Sequence, residues 1–228
     1  MSNFVTVDIE TICTEDPEVI AEIAERITPP GNYKKEDTIK QWEAEVKPGL
    51  VKEAVAKTSF DGSFGSICCI GWAFGDEQVD TAFLDTSGAV KADEKRVLSA
   101  FMNNLNLQHL DKDTIFVGHN IHAFDLRFIW QRCVINNVKM NPVLKAACQA
   151  KAWSPQIGDT LLLWNSDRDR RISLDRLCKV LGVKTSKGDM DGSKVYDYYK
   201  QGRLQEIADY CRDDVRATRE CYLRLVGV

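Results

Sequence analysis

The chain has 228 residues, of which 44% are hydrophobic. It contains 30 lysines and arginines and 34 aspartates and glutamates, so its net charge is −4. This composition is typical of a folded domain and excludes collagen-like and disordered chains. No apolar run reaches the roughly 20 residues of a membrane span, and the N-terminus lacks the basic and apolar regions of a signal peptide. The acidic balance argues against a protein that holds nucleic acid by overall positive charge.

The cysteines and histidines do not form a zinc-binding pattern. None of the 8 cysteines belongs to a CxxC pair, and the 3 histidines have no ligand spacing. Because no export signal is present, we interpret the cysteines as small apolar core residues of a cytoplasmic protein, with disulfides as the less favoured alternative.

The first predicted element is a strand over residues 3–9, where β-branched residues alternate with other types. A period of two puts Asp8 and Glu10 on the same face at the end of this strand. The two faces are Phe4, Thr6, Asp8 and Glu10 on one side and Val5, Val7 and Ile9 on the other.

Helical patterns follow the first strand. Residues 16–27 predict a helix with a proline at its first position, and residues 35–58 predict a second helical stretch. A break of this stretch at Pro48-Gly49 stays open. The segment 11–60 is too long for a simple connection between strands, so we interpret it as a helical insertion.

The remaining sequence alternates strands and helices. The predicted elements are a strand at 66–74 joined by a Gly75-Asp76 turn to 77–84, a strand at 113–118, and helices at 91–107, 121–136, 173–181 and 203–225. Residues 158–164 fit a strand or a short helix equally well. This order predicts an α/β or α+β layered domain with a mixed sheet.

Several polar side chains at the ends or flanks of these elements are candidates for chemistry. Asp8 and Glu10 lie where a strand can present two carboxylates to a cleft. Asp125 lies near a helix start and borders its apolar face; taken alone, a favourable interaction with the helix dipole explains it more simply. Tyr210 and Asp214 are four residues apart on the last helix and are therefore neighbours on one flank.

If these carboxylates converge, they require positive charge. Two like charges about 4 Å apart repel by about 4 kcal/mol at an effective dielectric constant of about 20. Carboxylates without histidine or cysteine suit hard cations such as Mg²⁺ or Mn²⁺, which also bind phosphate oxygens. Two such ions held by shared carboxylates suit in-line attack on a phosphodiester.

Three segments, VDIET at 7–11, NIHAFD at 120–125 and YCRDD at 210–214, resemble in this order the motifs of the DEDD 3′→5′ exonucleases. The resemblance is to the tyrosine branch, because the histidine branch needs a histidine where this chain has Asp209. The segments ICCIGWAFGD, ISLDRLCKVLGV and MDGSKVYDYY further resemble stand-alone exonucleases related to the proofreading domain of family B DNA polymerases. The resemblance implies one exonuclease domain over 1–228 with a ribonuclease H-like fold, a mixed five-stranded sheet flanked by helices.

The resemblance also implies a reaction and roles for single residues. Asp8, Glu10 and Asp214 would bind a first Mg²⁺ or Mn²⁺ ion. Asp8, and Asp125 directly or through a water molecule, would hold a second. Tyr210 would orient the attacking water. The expected reaction releases 5′-mononucleotides from the 3′ end of DNA that is single-stranded or frayed.

Substrate contacts are expected from a second set of residues. Thr11 would lie beside the terminal sugar, and Asn120 would be a cleft or capping residue. Lys184 and Lys187 are candidates for phosphate contacts. Further basic candidates are Arg168, Arg170, Arg171, Lys34, Lys35 and Lys40.

Three other functions compete with this hypothesis. The same chemistry on RNA ends stays open, as does a catalytically silent nucleic-acid-binding or docking module of the same fold. An aspartate-nucleophile phosphatase is disfavoured, because it would need D-x-D where the chain has D-x-E-T. The partner expected first is nucleic acid, and no membrane is expected; the insertion at 11–60 is a candidate docking surface for replication or repair proteins.

Overall fold

The structure is a computed structural model that describes residues 3–85, 90–165, 171–185 and 190–227. Within these segments five strands form a single mixed sheet. The strands are β1 (Phe4–Ile12), β2 (Ser66–Phe74), β3 (Asp80–Phe83), β4 (Ile115–Gly118) and β5 (Ile157–Asp159). Their order across the sheet is β3-β2-β1-β4-β5. The β1–β2 and β2–β3 pairs are antiparallel, whereas β1–β4 and β4–β5 are parallel, which confirms the predicted mixed sheet.

Helices connect and flank the strands. They are α1 (Pro17–Arg26), α2 (Glu36–Glu45), α3 (Lys47–Lys57), α4 (Val90–Leu107), α5 (Asp125–Ile135), α6 (Pro142–Gln149), α7 (Thr160–Asn165), α8 (Leu174–Leu181), α9 (Val195–Lys200) and α10 (Leu204–Val226). Short 3-10 turns occur at Thr58–Phe60 and Gly192–Lys194.

Two neighbouring residues of β2 show how helices cover both faces of the sheet. The ring of Trp72 lies 5.3 Å from the ring of Phe101 on α4. At Gly71, an added Cβ would lie 2.9 Å from the Sγ atom of Cys211 on α10. Because consecutive strand residues point to opposite faces, α4 and α10 lie on opposite sides of the sheet.

The predicted faces of β1 are confirmed at both ends of the strand. The ring of Phe4 lies 5.6 Å from the ring of Tyr222 on α10. The Oδ2 atom of Asp8 lies 3.6 Å from the Sγ atom of Cys211 on the same helix. The strand is longer than predicted, however, because Thr11 and Ile12 continue the pairing with β2 beyond a bulge. These residues belong to the sheet and not to the insertion.

The segment between β1 and β2 is helical, as predicted. It contains α1, α2 and α3, and the break between the last two lies at Val46. Pro48 and Gly49 therefore lie in the first turn of α3 and do not interrupt the helical stretch at their own position. Proline fits a first turn because the amide that it lacks has no partner there.

The other boundaries follow the sequence closely in most places. The β2 prediction is confirmed at both ends, and α8 begins after Ser173 and ends at Gly182, which has a φ of 66°. Residues 158–164 are both a strand end and a helix, since β5 passes directly into α7. The sequence did not predict the short helices α6 and α9.

Candidate active site

A glycine in β2 brings α10 close to the carboxylates of β1. Asp8 pairs with Gly71 in the antiparallel ladder, so the two residues share a face. An added Cβ at Gly71 would lie 2.9 Å from Cys211 Sγ and 3.0 Å from Val215 Cγ2. The missing side chain therefore permits the close approach of the helix that carries Asp214.

Three carboxylates meet at this contact. Ligand atoms of Asp8, Glu10 and Asp214 all lie within 4.8 Å of one another. Glu10 and Asp214 are only 7% and 8% exposed, and Asp8 is half-buried. The sheet and the last helix thus bring together residues that are about 200 positions apart in the chain.

Asp125 reaches the same strand from another direction. Parallel pairing of β4 with β1 extends only to Thr6 of β1. Beyond this point, the backbone amide of Ile9 donates a hydrogen bond of 3.1 Å to Asp125 Oδ1. Asp125 is the first residue of α5 and is 3% exposed. Its carboxylate therefore lies against the backbone between Asp8 and Glu10, although it is outside the group of three.

A fifth carboxylate, Asp159, was not recognised from the sequence. It ends β5, is 3% exposed, and accepts hydrogen bonds from the backbone amides of Asn120 at 2.9 Å and Leu161 at 3.1 Å. A longer contact of 3.4 Å comes from the amide of His122. These bonds hold the turn that precedes Asp125, and they explain why α5 begins at 125 and not at the predicted 121. An aspartate directly before the helical pattern TLLLW was the available signal, because aspartate favours this position.

The cluster has an unfavourable charge balance. Burial raises the pKa of Asp8 well above its usual range, and the nearby charges of Asp214, Asp125 and Glu10 raise it further. Burial and the charge of Asp214 likewise raise the pKa of Glu10. Burial raises the pKa of Asp125 to about 8, even though backbone hydrogen bonds lower it in part. Within the part of the chain that the structure describes, no lysine or arginine is among the main causes of these three pKa shifts.

Tyr210 lies one turn before Asp214 on α10, as the sequence predicted. Its side chain is partly buried. Burial, the charge of Asp214 and a hydrogen bond to Asp214 together raise the pKa of the phenol well above its usual range. The phenol therefore stays protonated at neutral pH and can donate or accept a hydrogen bond beside the cluster.

The donor set fits divalent cations. It consists of carboxylate oxygens only, close enough for one ion to contact all three residues. Burial and neighbouring carboxylates raise the pKa values of Asp8 and Glu10, so the described residues leave these charges largely unbalanced. Hard cations such as Mg²⁺ and Mn²⁺ prefer such oxygen ligands, and their charge would offset the repulsion.

Two predicted substrate residues lie near the cluster but make structural contacts. The Thr11 hydroxyl donates a hydrogen bond of 2.7 Å to the carbonyl of Ser59 in the insertion. Asn120 has a φ of 64°, and its backbone amide binds Asp159. A left-handed conformation is uncommon outside glycine, and asparagine is among the residues that tolerate it. The contacts of both residues with substrate stay predictions.

The basic candidates lie at the surface where they are described. Lys184 is exposed after α8, and Arg171, Lys34 and Lys35 are exposed as well. Lys40 forms a surface ion pair of 2.6 Å with Glu36. The candidates Lys187, Arg168 and Arg170 lie outside the described residues. Contacts of these side chains with phosphates stay predictions.

A protein-family model matches residues 63–228, and its description is "Predicted 3'-5' exonuclease related to the exonuclease domain of PolB". The chain belongs to this family. The predicted resemblance to exonucleases related to this polymerase domain and the prediction of a 3′→5′ exonuclease, which acts on nucleic acid, are confirmed, whereas the tyrosine branch stays a prediction. The matched region contains Asp125, Tyr210 and Asp214, whereas β1 and the helices α1 to α3 precede it.

The exonuclease is also similar to a solved structure, the family B DNA polymerase from the hyperthermophilic archaeon Pyrobaculum calidifontis. The similarity has a TM-score of 0.59 at 17% sequence identity and covers 98% of this chain. It covers 24% of the polymerase chain, so this protein corresponds to about a quarter of that enzyme. At this identity the match shows the fold, and the predicted ribonuclease H-like architecture is confirmed.

Among proteins with curated descriptions, none matches the exonuclease chain. Across the described residues, no helix combines the length and the apolar character that crossing a membrane requires.

Proposed function

We propose that the protein is a metal-dependent exonuclease that hydrolyses phosphodiester bonds at the 3′ end of single-stranded or frayed DNA and releases 5′-mononucleotides. The observation that carries this proposal is the group of ligand atoms from Asp8, Glu10 and Asp214 within 4.8 Å of one another. The similarity to a DNA polymerase and the family's relation to a polymerase exonuclease domain support DNA as the substrate. The proposed domain comprises the whole chain, 1–228, with the helices between β1 and β2 as an insertion.

The roles of the carboxylates follow from their positions. Asp8, Glu10 and Asp214 would hold one Mg²⁺ or Mn²⁺ ion, and Asp8 together with Asp125 would hold a second. Bound divalent ions would lower the pKa of the attacking water and stabilise the charge on the leaving oxygen. The backbone hydrogen bond from Ile9 fixes the orientation of Asp125, so this side chain needs little reorganisation to bind.

Tyr210 would orient the attacking water. Its raised pKa opposes a role as general base, because deprotonation would need a pH far above neutrality. A protonated phenol beside Asp214 can accept a hydrogen bond from water while it donates one to the carboxylate. This arrangement would direct the water towards the phosphorus atom.

The main test replaces a carboxylate that both proposed ions share. We expect Asp8→Ala to reduce Mn²⁺-dependent digestion of a 5′-labelled oligonucleotide by about a thousandfold, because both ion sites lose a ligand. Glu15→Ala is the matched control, since this acidic residue follows β1 but is not part of the cluster. Undiminished digestion by the purified, folded Asp8→Ala protein would refute the proposal.

A second variant tests the role of the phenol. We expect Tyr210→Phe to lower kcat by about a hundredfold, because it removes the hydroxyl that orients water. Mn²⁺ affinity, measured by calorimetry, should stay within about twofold, since no carboxylate changes. Loss of Mn²⁺ binding in this variant would show that Tyr210 supports the ligands and does not orient water.

The choice of nucleic acid is tested with matched substrates. Single-stranded DNA, DNA with a frayed 3′ end, blunt duplex DNA and RNA of the same sequence are digested in parallel. We expect the first two to be degraded fastest and, when the label is on the 3′-terminal nucleotide, the label to appear in 5′-mononucleotides. Faster digestion of RNA would assign the same chemistry to RNA ends. Mn²⁺ binding without digestion of any substrate would indicate a silent binding module.

A further inference from the structure

An exposed aromatic ring extends from the core at the end of the insertion. Phe60, in the 3-10 turn after α3, is 74% exposed. Its ring centroid lies 6.4 Å from that of Phe124, which in turn lies 5.6 Å from that of the buried Phe128. Three rings thus form a row from the surface into the core, and the outer ring leaves most of its area to solvent.

Phe60 and α5 form the walls of an open groove of about 430 Å³. Phe124, Arg127 and Gln131 lie along one side of α5 at helical spacing and line this groove. Arg127 is exposed, and within the described segments it forms no ion pair. Asp61 also lines the groove, but its Oδ1 atom accepts a hydrogen bond of 2.9 Å from the backbone amide of Ser63 and caps the turn.

The groove adjoins the carboxylate cluster on two sides. Phe124 directly precedes Asp125 in the chain. On the other side, Ser59, which precedes Phe60, accepts the hydrogen bond from Thr11, next to Glu10 in β1. These two links place the groove next to residues that adjoin the cluster, so the proposal has a strand whose 3′ end lies at the carboxylates continue into the groove.

We propose that this groove binds single-stranded DNA, with a base stacked on the exposed ring of Phe60, beside Phe124, and a backbone phosphate at Arg127. Aromatic platforms combined with cationic side chains bind single strands, because every base has a stacking face and every nucleotide carries a negative charge. Base pairing would keep the base inside the duplex, so the groove selects frayed or single-stranded ends. The proposal rests on the proposed function and adds a substrate contact to it.

The aromatic ring of Phe60 comes from the insertion, which precedes the region that the family model matches. Phe60 precedes residue 63, where the match begins, whereas Phe124 and Arg127 lie within it. The insertion would therefore supply the ring of Phe60, and the matched region would supply Phe124 and Arg127. This assigns a role in strand binding to the segment between β1 and β2.

The test measures binding without hydrolysis. Fluorescence anisotropy of labelled oligo(dT) is recorded in EDTA, so the result does not depend on metal or turnover. We expect Phe60→Ala to weaken binding about tenfold and Phe60→Trp to retain it, because tryptophan preserves the stacking face. Leu107→Ala, which removes another highly exposed apolar side chain, is the control and should bind as the unchanged protein does.

Salt dependence tests the phosphate contact. Arg127→Gln should reduce the slope of log K against log salt concentration by about 0.7, the value for one phosphate of a single strand. In digestion assays Phe60→Ala should raise KM for single-stranded DNA while kcat is preserved.

Equal oligo(dT) affinity for Phe60→Ala and the unchanged protein would overturn the proposal, whatever the nuclease activity. If Phe60→Ala weakens binding but no digestion occurs in any variant, the groove stands and the proposed function fails.

Discussion

Glu94 and Asp8 are both carboxylates next to packed parts of the sheet, but their neighbours differ in kind. Glu94 is fully buried, and its two oxygens accept hydrogen bonds of 2.7 and 2.8 Å from the guanidinium of Arg132. The backbone amide of Ile67 and the side-chain amide of Asn136 add two bonds of 2.8 Å each. The chain itself thus supplies the positive charge and the donors that a buried carboxylate needs.

The site around Asp8 is built in the opposite way. Its nearest charged neighbours are the carboxylates of Asp214, Asp125 and Glu10, which raise its pKa. Burial of a carboxylate is therefore not itself a functional signal. The informative feature is a group of carboxylates that lie together without a balancing lysine or arginine from the described part of the chain.

A large effect on stability is expected at Glu94, whose charge Arg132 balances. Arg132→Met should lower the free energy of unfolding by about 3–5 kcal/mol, because it leaves Glu94 buried without its charge partner. The double variant Arg132→Met/Glu94→Leu should recover part of this loss, because the unpaired charge is removed although the amides of Ile67 and Asn136 lose this acceptor. Urea denaturation measures both. As a control, Lys57→Met breaks an exposed pair with Glu53 and should change little. A small loss for Arg132→Met would mean that the two sites do not differ as proposed.

Added Mn²⁺ should stabilise the protein through the carboxylates around Asp8 and not through the Glu94–Arg132 pair. In the presence of Mn²⁺ at about 100 times its Kd, the free energy of unfolding should rise by about 2.7 kcal/mol, since the ion binds only the folded cluster. Asp8→Ala should lose most of this gain, whereas Arg132→Met, compared with its own metal-free value, should retain it. Thermal or urea denaturation with and without EDTA provides the measurement. An equal gain in Asp8→Ala would place the stabilising ion elsewhere.

A different effect should appear when pH is varied without metal. The folded-state pKa of Asp125 is raised to about 8, so the folded protein holds this proton more tightly than the unfolded chain. Its contribution to stability is therefore fully present below the usual aspartate pKa near 4 and is lost as pH rises towards about 8. In EDTA, Asp125→Asn should show a weaker decline of stability over this interval than the unchanged protein. Parallel curves for the two proteins would contradict the raised pKa.

Local sequence patterns predicted much of the fold because they depend on near neighbours. Alternation in β1 gave the shared face of Asp8 and Glu10, and helical spacing gave the adjacency of Tyr210 and Asp214. Both ends of β2 were predicted correctly, since a β-branched apolar run there is bounded by turn residues. The short helices α6 and α9 were missed, because six to eight residues carry too few turns for a clear period.

The sequence alone determined which face of its own element each candidate residue occupies, and the role of these residues in the chemistry stays a prediction. Only the tertiary structure decided that β1 and α10 meet, because this contact depends on the absent side chain at Gly71 opposite Asp8. It also decided that Asp159 holds the turn before Asp125 and that the ring of Phe60 lies beside that of Phe124. Periodicity arises from the geometry of the local backbone, whereas these contacts join positions that are distant in the chain and are selected by packing.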